Sequence, residues 1–195
     1  MNLIEQLYRG NTRANRDMIV RWIGRNPKRF GQVITIYLKG DLRESQLAAG
    51  VLLSSFEAHP ELLMPWLPKV VKRMDEPGVH PAVRRLGVWA LEKSEIPRRL
   101  QGQGLDMCLR YVSDPAETIA IRAFAMGVLR RIASSEPDLI PELLQSIEAV
   151  LPYSSDTLRN HARIVLDKIE KMGKQQTRRR REFSARPAQA RGISP

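Results

Sequence analysis

The sequence predicts an all-α protein, a right-handed superhelix of about four to five stacked helix pairs. Three observations predict it. Four similar segments recur, with 39, 38 and 37 residues between their aligned leucines. A second set of segments, opened by proline, alternates with them. Aromatic residues make up only 6% of the chain, so the core must be built mostly of Leu, Ile, Val, Ala and Met, the side chains of packed helices.

Taken in order, the chain opens with Leu3, Ile4, Leu7 and Tyr8 on one stripe. That stripe either caps the first repeat or faces a second copy. The first unit, around Arg16, Ile19 and Ile23, fits the repeat only loosely. NPKRFGQVITIYL at 26–38 then starts with a polar residue and a proline. Proline is tolerated at the first helical position because that N–H has no helical partner. Within this segment VITIYL alternates like a strand but sits inside a longer helical pattern.

SQLAAGVL (45–52), RRLGVWAL (84–91), RAFAMGVL (122–129) and RNHARIVL (159–166) form the first series. Each has a small residue at its fourth position (Ala48, Gly87, Ala125, Ala162) and a leucine at its eighth. Residues four apart share a helix face, and the small one admits a neighbouring helix. HPELLMPWLPKVVKRM (59–74) and EPDLIPELLQSIEAVL (136–151) continue the proline-opened series. Its third member begins at Pro97 and is looser, with Gly102 and Gly104 inside it. Turn-rich links, such as Asp75-Glu76-Pro77-Gly78 and Ser113-Asp114-Pro115, separate the helices.

Ile119 to Leu129 is apolar nearly all round, as in a helix enclosed by neighbours. Leu158, Ala162, Val165, Leu166 and Ile169 make a single stripe, which marks that helix as the C-terminal cap. This alternation of helix and turn at such a period is the pattern of an α-solenoid. The expected domain covers 1–172, and 173–195, with Phe183 and Ile193 as its only large apolar residues, is expected to be a disordered basic tail.

Charge is segregated. The 195 residues carry a net +11, of which residues 1–40 hold +6 and residues 173–195 hold +6, while 41–172 hold −1. The middle is therefore near neutral and the ends are basic. The single cysteine, Cys108, excludes an internal disulfide framework and a multi-cysteine zinc site. No stretch approaches the ~20 apolar residues that a bilayer span requires, and the N-terminus lacks the order of a signal peptide. A cytoplasmic protein without membrane insertion is expected.

Paired helices, proline at the second helix, and the pattern Val83-Arg84, Gly87, Leu91; Ile121-Arg122, Ala125, Leu129; Leu158-Arg159, Ala162, Leu166 resemble HEAT repeats over about residues 13–171. The resemblance implies paired helices whose second members line a concave face. It also implies that Arg84, Arg122 and Arg159 bond an aspartate or carbonyls at an adjacent turn, with Asp75, Asp114 and Asp156 upstream as candidates.

Catalytic machinery is not expected. His59, His80 and His161 have no metal-ligand spacing, and there is no glycine-rich phosphate loop or nucleophile elbow. No cofactor is expected either. The second helices supply Lys28, Arg29, Lys69, Lys72, Arg73, Arg98, Arg99 and Arg110, so the N-terminal two-thirds of the groove is expected to be positive. Trp66, Lys69, Lys72 and Arg73 are the candidate protein-binding residues, Trp66 being either an exposed anchor or a packing residue between helices. Arg178, Arg179, Arg180 and Arg181 are the candidate nucleic-acid-binding residues. They could equally meet an anionic membrane or acidic protein surface, or remain solvated.

The favoured function is a non-catalytic scaffold holding a protein or peptide along its concave face. The alternative is nucleic-acid binding through the basic groove and tail. The HEAT-like fold also occurs in alkylpurine DNA glycosylases, which rely on tryptophans and an aspartate, whereas Trp22, Trp66 and Trp89 here fall in different predicted helices. A subunit that docks an enzyme is a third possibility.

Overall fold

The computed structural model describes residues 2–184. Among them are ten α-helices and no strand. The first short helix, α1 (Leu3–Tyr8), buries Leu3 and Leu7 and leaves Ile4 and Tyr8 exposed. The N-terminal stripe is thus split, half of it capping the array. Asn15 closes the turn to the next helix, its side-chain amide donating to the Gln6 and Gly10 carbonyls, both at 2.8 Å.

The remaining helices alternate between two layers. The first helices are α2 (Arg13–Ile23), α4 (Leu42–Ala58), α6 (Pro81–Lys93), α8 (Ile119–Ser135) and α10 (Asp156–Ser184). The second helices are α3 (Pro27–Lys39), α5 (Leu67–Met74), α7 (Arg98–Ser113) and α9 (Ile140–Glu148). Successive first helices pack on one another, and each second helix packs on the first helix that follows it. One contiguous apolar core runs between the layers.

Capping explains where these helices start. The Thr12 hydroxyl, the Asn26 carboxamide and the Thr118 hydroxyl each accept a backbone N–H at the start of their helices. Asp41 and Glu44 form a reciprocal capping box at the start of α4. Gly24 ends α2 at φ +49°, a left-handed turn that a side chain would strain.

The aligned small residues do what their spacing predicts: Ala48, Gly87, Ala125 and Ala162 are all buried. Gly87 is the tightest of them. A Cβ there would fall 2.2 Å from the Met74 sulfur, so α5 and α6 approach through the absence of that side chain. Gly127 admits Glu92 in the same way.

Three expectations are revised. The proline-opened segments at 59–74 and 136–151 do not begin as α-helices. Their first residues form 3-10 turns (Pro60–Leu62, Met64–Trp66 and Pro137–Leu139), and regular helix begins only at Leu67 and Ile140. Pro68 and Pro141 have no N–H to bond the carbonyl four residues back, and their rings would clash with it, so each is confined to the first turn and α5 and α9 cannot start earlier. By contrast, α7 is continuous over 16 residues despite its two glycines. Gly104 is buried there, with the space beside it bounded by Leu91.

The third revision concerns the tail. Helix α10 runs past Met172 to Ser184, so residues 173–184 are helical where a disordered segment was expected. The i, i+4 pairs Lys171–Asp167, Lys174–Glu170 and Arg178–Glu182 line its exposed side. Such pairs support a solvated helix by a few tenths of a kcal/mol each. The rest of the expected tail, 185–195, lies outside the described residues.

Candidate partner-binding surface

Three consecutive second helices begin with basic rather than acidic side chains. Lys28 and Arg29 lie in the first turn of α3, Lys69 in the first turn of α5, and Arg98 and Arg99 in the first turn of α7, while Lys72 lies in the last turn of α5; all six are exposed. None of these helices has an acid in its first turn. Helix N-termini already carry a partial positive charge, so cations there are mildly unfavourable and the row attracts anions. Among the described residues no carboxylate lies within ion-pair distance of Lys28, Lys72, Arg98 or Arg99.

Trp66 stands at the start of α5. Its ring is partly buried against Gly31 of α3, and the Lys69 ammonium sits 4.9 Å from its centre. It joins two second helices while keeping one side open beside Lys69. Arg73 is different. It pairs with Glu76, reaches the Ser45 hydroxyl of α4 at 3.4 Å, and its side chain is only 19% exposed. It therefore ties α5 to α4. Arg110 pairs with Asp75. Arg29 stacks 5.3 Å over Trp22 and donates to the Trp22 carbonyl.

Arg178 pairs with Glu182, and Arg179 is exposed on α10. Arg180 and Arg181 follow on the same helical backbone; their side chains lie outside the described set. This basic helix belongs to the far end of the array, so the structure does not bring the four arginines together with Lys69 and Lys72.

The aligned arginines are structural. Arg84 donates to the Val79 carbonyl and sets its Nε 2.6 Å from the Glu117 carboxylate, an ion pair reaching into the next repeat. Arg122 is buried and donates to the Val112 carbonyl at 3.1 Å. Arg159 donates to Leu151 and Ser154 carbonyls and pairs with Asp156. Of the three upstream aspartates only Asp156 serves its arginine, because Asp75 goes to Arg110 and Asp114 caps its own turn at the Ala116 N–H.

The remaining candidates for chemistry have local roles. His80 accepts the Ala82 N–H as the N-cap of α6, and His161 lies against the Ala123 carbonyl. Burial holds the His80 pKa below its ordinary value, with Arg43, Arg84 and Arg85 adding to the effect. Cys108 is fully buried, and burial pushes its thiol well above the ordinary range, so it is a poor nucleophile. Among the described residues no group of His, Cys, Asp or Glu is arranged to hold a metal ion, and no helix is long and apolar enough to cross a membrane. The tryptophans do not converge: Trp22 meets Arg29, Trp66 meets Lys69, and Trp89 packs edge-on against Phe56 at 5.0 Å.

One surface feature escaped the sequence reading. A groove of about 550 Å³ lies between α9 and α10, with Ile140, Leu144 and Gly173 as its apolar floor and Thr177 and the ion pairs Lys174–Glu170 and Arg178–Glu182 along its α10 side. The signal for it was arithmetic: α10 is a first helix with no second helix among the described residues.

Against this two-layered array, a family model for the HEAT repeat domain matches residues 3–169. The chain belongs to the HEAT-repeat family. No curated protein and no solved structure matches it. HEAT repeats are in general repeat scaffolds without catalytic machinery of their own and usually mediate protein interactions. The match begins at Leu3, earlier than the sequence reading placed it, because α1 caps the first repeat.

Proposed function

We propose that this HEAT-repeat protein is a non-catalytic scaffold that holds an acidic protein segment along the surface of its second helices, in the cytoplasm. The observation that supports this reading is the row of exposed cations on the opening turns of α3, α5 and α7, beside the open side of Trp66. An extended acidic segment lying across those helices would meet ammonium and guanidinium groups together with partly positive helix ends. Trp66 would offer one apolar anchor at the centre.

The same row favours a second reading, nucleic-acid binding, since phosphates answer to the same charges. One experiment separates the two. A labelled poly-glutamate peptide and a labelled DNA duplex are titrated by anisotropy across a salt series, with wild type and with Lys69→Glu/Lys72→Glu/Arg99→Glu. The scaffold reading expects peptide binding that the substitutions weaken about tenfold or more, with the duplex binding more weakly. A duplex that binds more tightly, with log affinity falling by about 0.9 per released counterion against log salt and the slope reduced in the variant, establishes the nucleic-acid reading instead. No change in either titration removes the row from both.

A further inference from the structure

A cleft of about 290 Å³ lies near the starts of α6 and α8, against α4 and the turn before α2. Its polar lining comes from all four: Asn11 of that turn, Gln46 of α4, His80 and Arg85 at α6, and Thr118 and Ala120 at the start of α8. No carboxylate lines it. Glu117, next in the chain to Thr118, is buried and has both oxygens engaged, one by the Thr118 N–H and the other by Arg84.

Hydrogen bonding separates what these groups have used from what they have left. The Asn11 Oδ1 accepts from Arg16 at 3.0 Å, and the Gln46 Oε1 accepts from Arg43 at 2.9 Å. The His80 Nδ1 accepts the Ala82 N–H, and the Thr118 hydroxyl oxygen accepts the Ile121 N–H. Burial, with Arg43, Arg84 and Arg85, holds the His80 pKa below its ordinary value, so the ring is neutral at about pH 7. Accepting at Nδ1 then places its one proton on Nε2. At all four residues the acceptor is used inside the protein, while the carboxamide NH2 groups, the imidazole Nε2–H and the threonine O–H have no protein acceptor among the described residues.

Two more donors complete the set. Arg85 is exposed and makes no hydrogen bond or ion pair among the described residues, and the Ala120 N–H, in the first turn of α8, has no backbone acceptor. Around the cleft Arg16, Arg43 and Arg85 bring three guanidinium groups, none within ion-pair distance of a carboxylate among the described residues. A positive cleft whose acceptors are engaged and whose donors are open suits an oxyanion. Donors from six residues outnumber the about four lone-pair sites of a carboxylate. A phosphoryl group answers them better, with three strong acceptor oxygens and close to two negative charges.

We infer that this cleft is a binding site for a phosphoryl group, carried by a small phosphomonoester or present as free phosphate, held by Arg85 and by the open N–H and O–H groups of Asn11, Gln46, His80, Thr118 and Ala120. The site shares no residue with the row on α3, α5 and α7, and it stands whether or not that row binds anything.

The test is a titration of the full-length chain with sodium phosphate, followed by amide-resolved NMR, with sodium chloride at matched ionic strength as the control. The inference expects saturable shifts of the Ala120 backbone amide and the Asn11 and Gln46 side-chain amides that chloride does not produce. Arg85→Glu and Gln46→Glu each put a carboxylate into the cleft. Arg85 is exposed and a glutamate at position 46 still accepts from Arg43, so both variants should fold, which circular dichroism checks. Each should weaken phosphate binding about tenfold or more at the Ala120 amide, whereas Lys69→Glu/Lys72→Glu/Arg99→Glu should leave it unchanged. Glycerol 3-phosphate separates the two sources: binding tighter than phosphate assigns the site to a carried phosphoryl group, equal or weaker binding assigns it to the free ion, and either supports the inference. Absence of saturable shifts overturns it, as do shifts that chloride reproduces or binding indifferent to both substitutions. Acetate binding as tightly as phosphate also overturns it and assigns the cleft to a carboxylate.

Discussion

The same substitution, glycine to alanine, is expected to have opposite effects at two helical positions of this array. Gly102 lies in α7, exposed, with nothing within 4 Å of the place a Cβ would take. Alanine there gains helix propensity, about 1 kcal/mol, at no steric cost. Gly87 lies in α6 and gains the same propensity, but its Cβ would fall 2.2 Å from the Met74 sulfur and 3.2 and 3.3 Å from Met74 Cγ and Cβ. The sulfur alone could swing aside. Met74, however, is only 1% exposed, so its side chain has no free volume to enter and α5 must shift.

Overpacking of a close-packed core costs about 1–3 kcal/mol, so Gly87→Ala comes out destabilising by about 1 kcal/mol after the propensity gain. The two variants should differ by about 2 kcal/mol, or about 4–8 °C in Tm for a chain of this size. Thermal melts and urea titrations followed at 222 nm measure this directly. A double variant sharpens the test. Met74→Ala alone opens a cavity and costs about 2–5 kcal/mol. Combined with Gly87→Ala, which fills part of that cavity, it should cost less than the sum by about 1 kcal/mol or more. Equal stabilisation by Gly87→Ala and Gly102→Ala, or strict additivity with Met74→Ala, would refute the close approach of α5 and α6 as the reason for the small residue.

Two further predictions rest on polar contacts between repeats. Arg84→Ala should destabilise by about 3 kcal/mol, because it leaves the Glu117 carboxylate, 4% exposed, without its cation. Glu117→Gln should cost far less, since Arg84 is partly hydrated and keeps its bond to the Val79 carbonyl; urea titrations that rank the two the other way reject this asymmetry. His80, whose pKa is held below 6.5 in the folded chain, should make stability fall as pH drops below about 6.5. There the unfolded chain takes up a proton that the folded one refuses, and the loss levels off once the folded-state imidazole is protonated too. His80→Asn keeps an N-cap acceptor and should flatten Tm between pH 7 and 5 relative to wild type. A slope of the same size in the variant places its origin elsewhere.

The sequence by itself determined the class of fold and its repeat. Spacing sufficed for that, because a helix face is set by intervals of three and four residues: Ala48, Gly87, Ala125 and Ala162 are buried where the pattern put them. It also marked Arg84, Arg122 and Arg159 as structural, though not all their partners. Those partners depend on which turn lies beside each guanidinium, and Asp75 and Asp114 turn out to be engaged elsewhere. Composition placed the cations of the candidate surface but not their state. Only packing ties Arg73 to Ser45 and Glu76 while leaving Lys69 over Trp66.

Composition misjudged 173–184 for a physical reason. A segment with almost no apolar residues cannot nucleate a helix alone, but here it extends one already anchored by Leu158, Val165 and Ile169, and adding a turn to an existing helix avoids the cost of nucleation. The α9–α10 groove lay furthest from the sequence's reach. Its lining comes from two helices whose contributing residues stand about 26 to 42 positions apart, so no local pattern marks it. Local periodicity fixes which faces are apolar; whether such a face is covered is settled only when the helices are stacked.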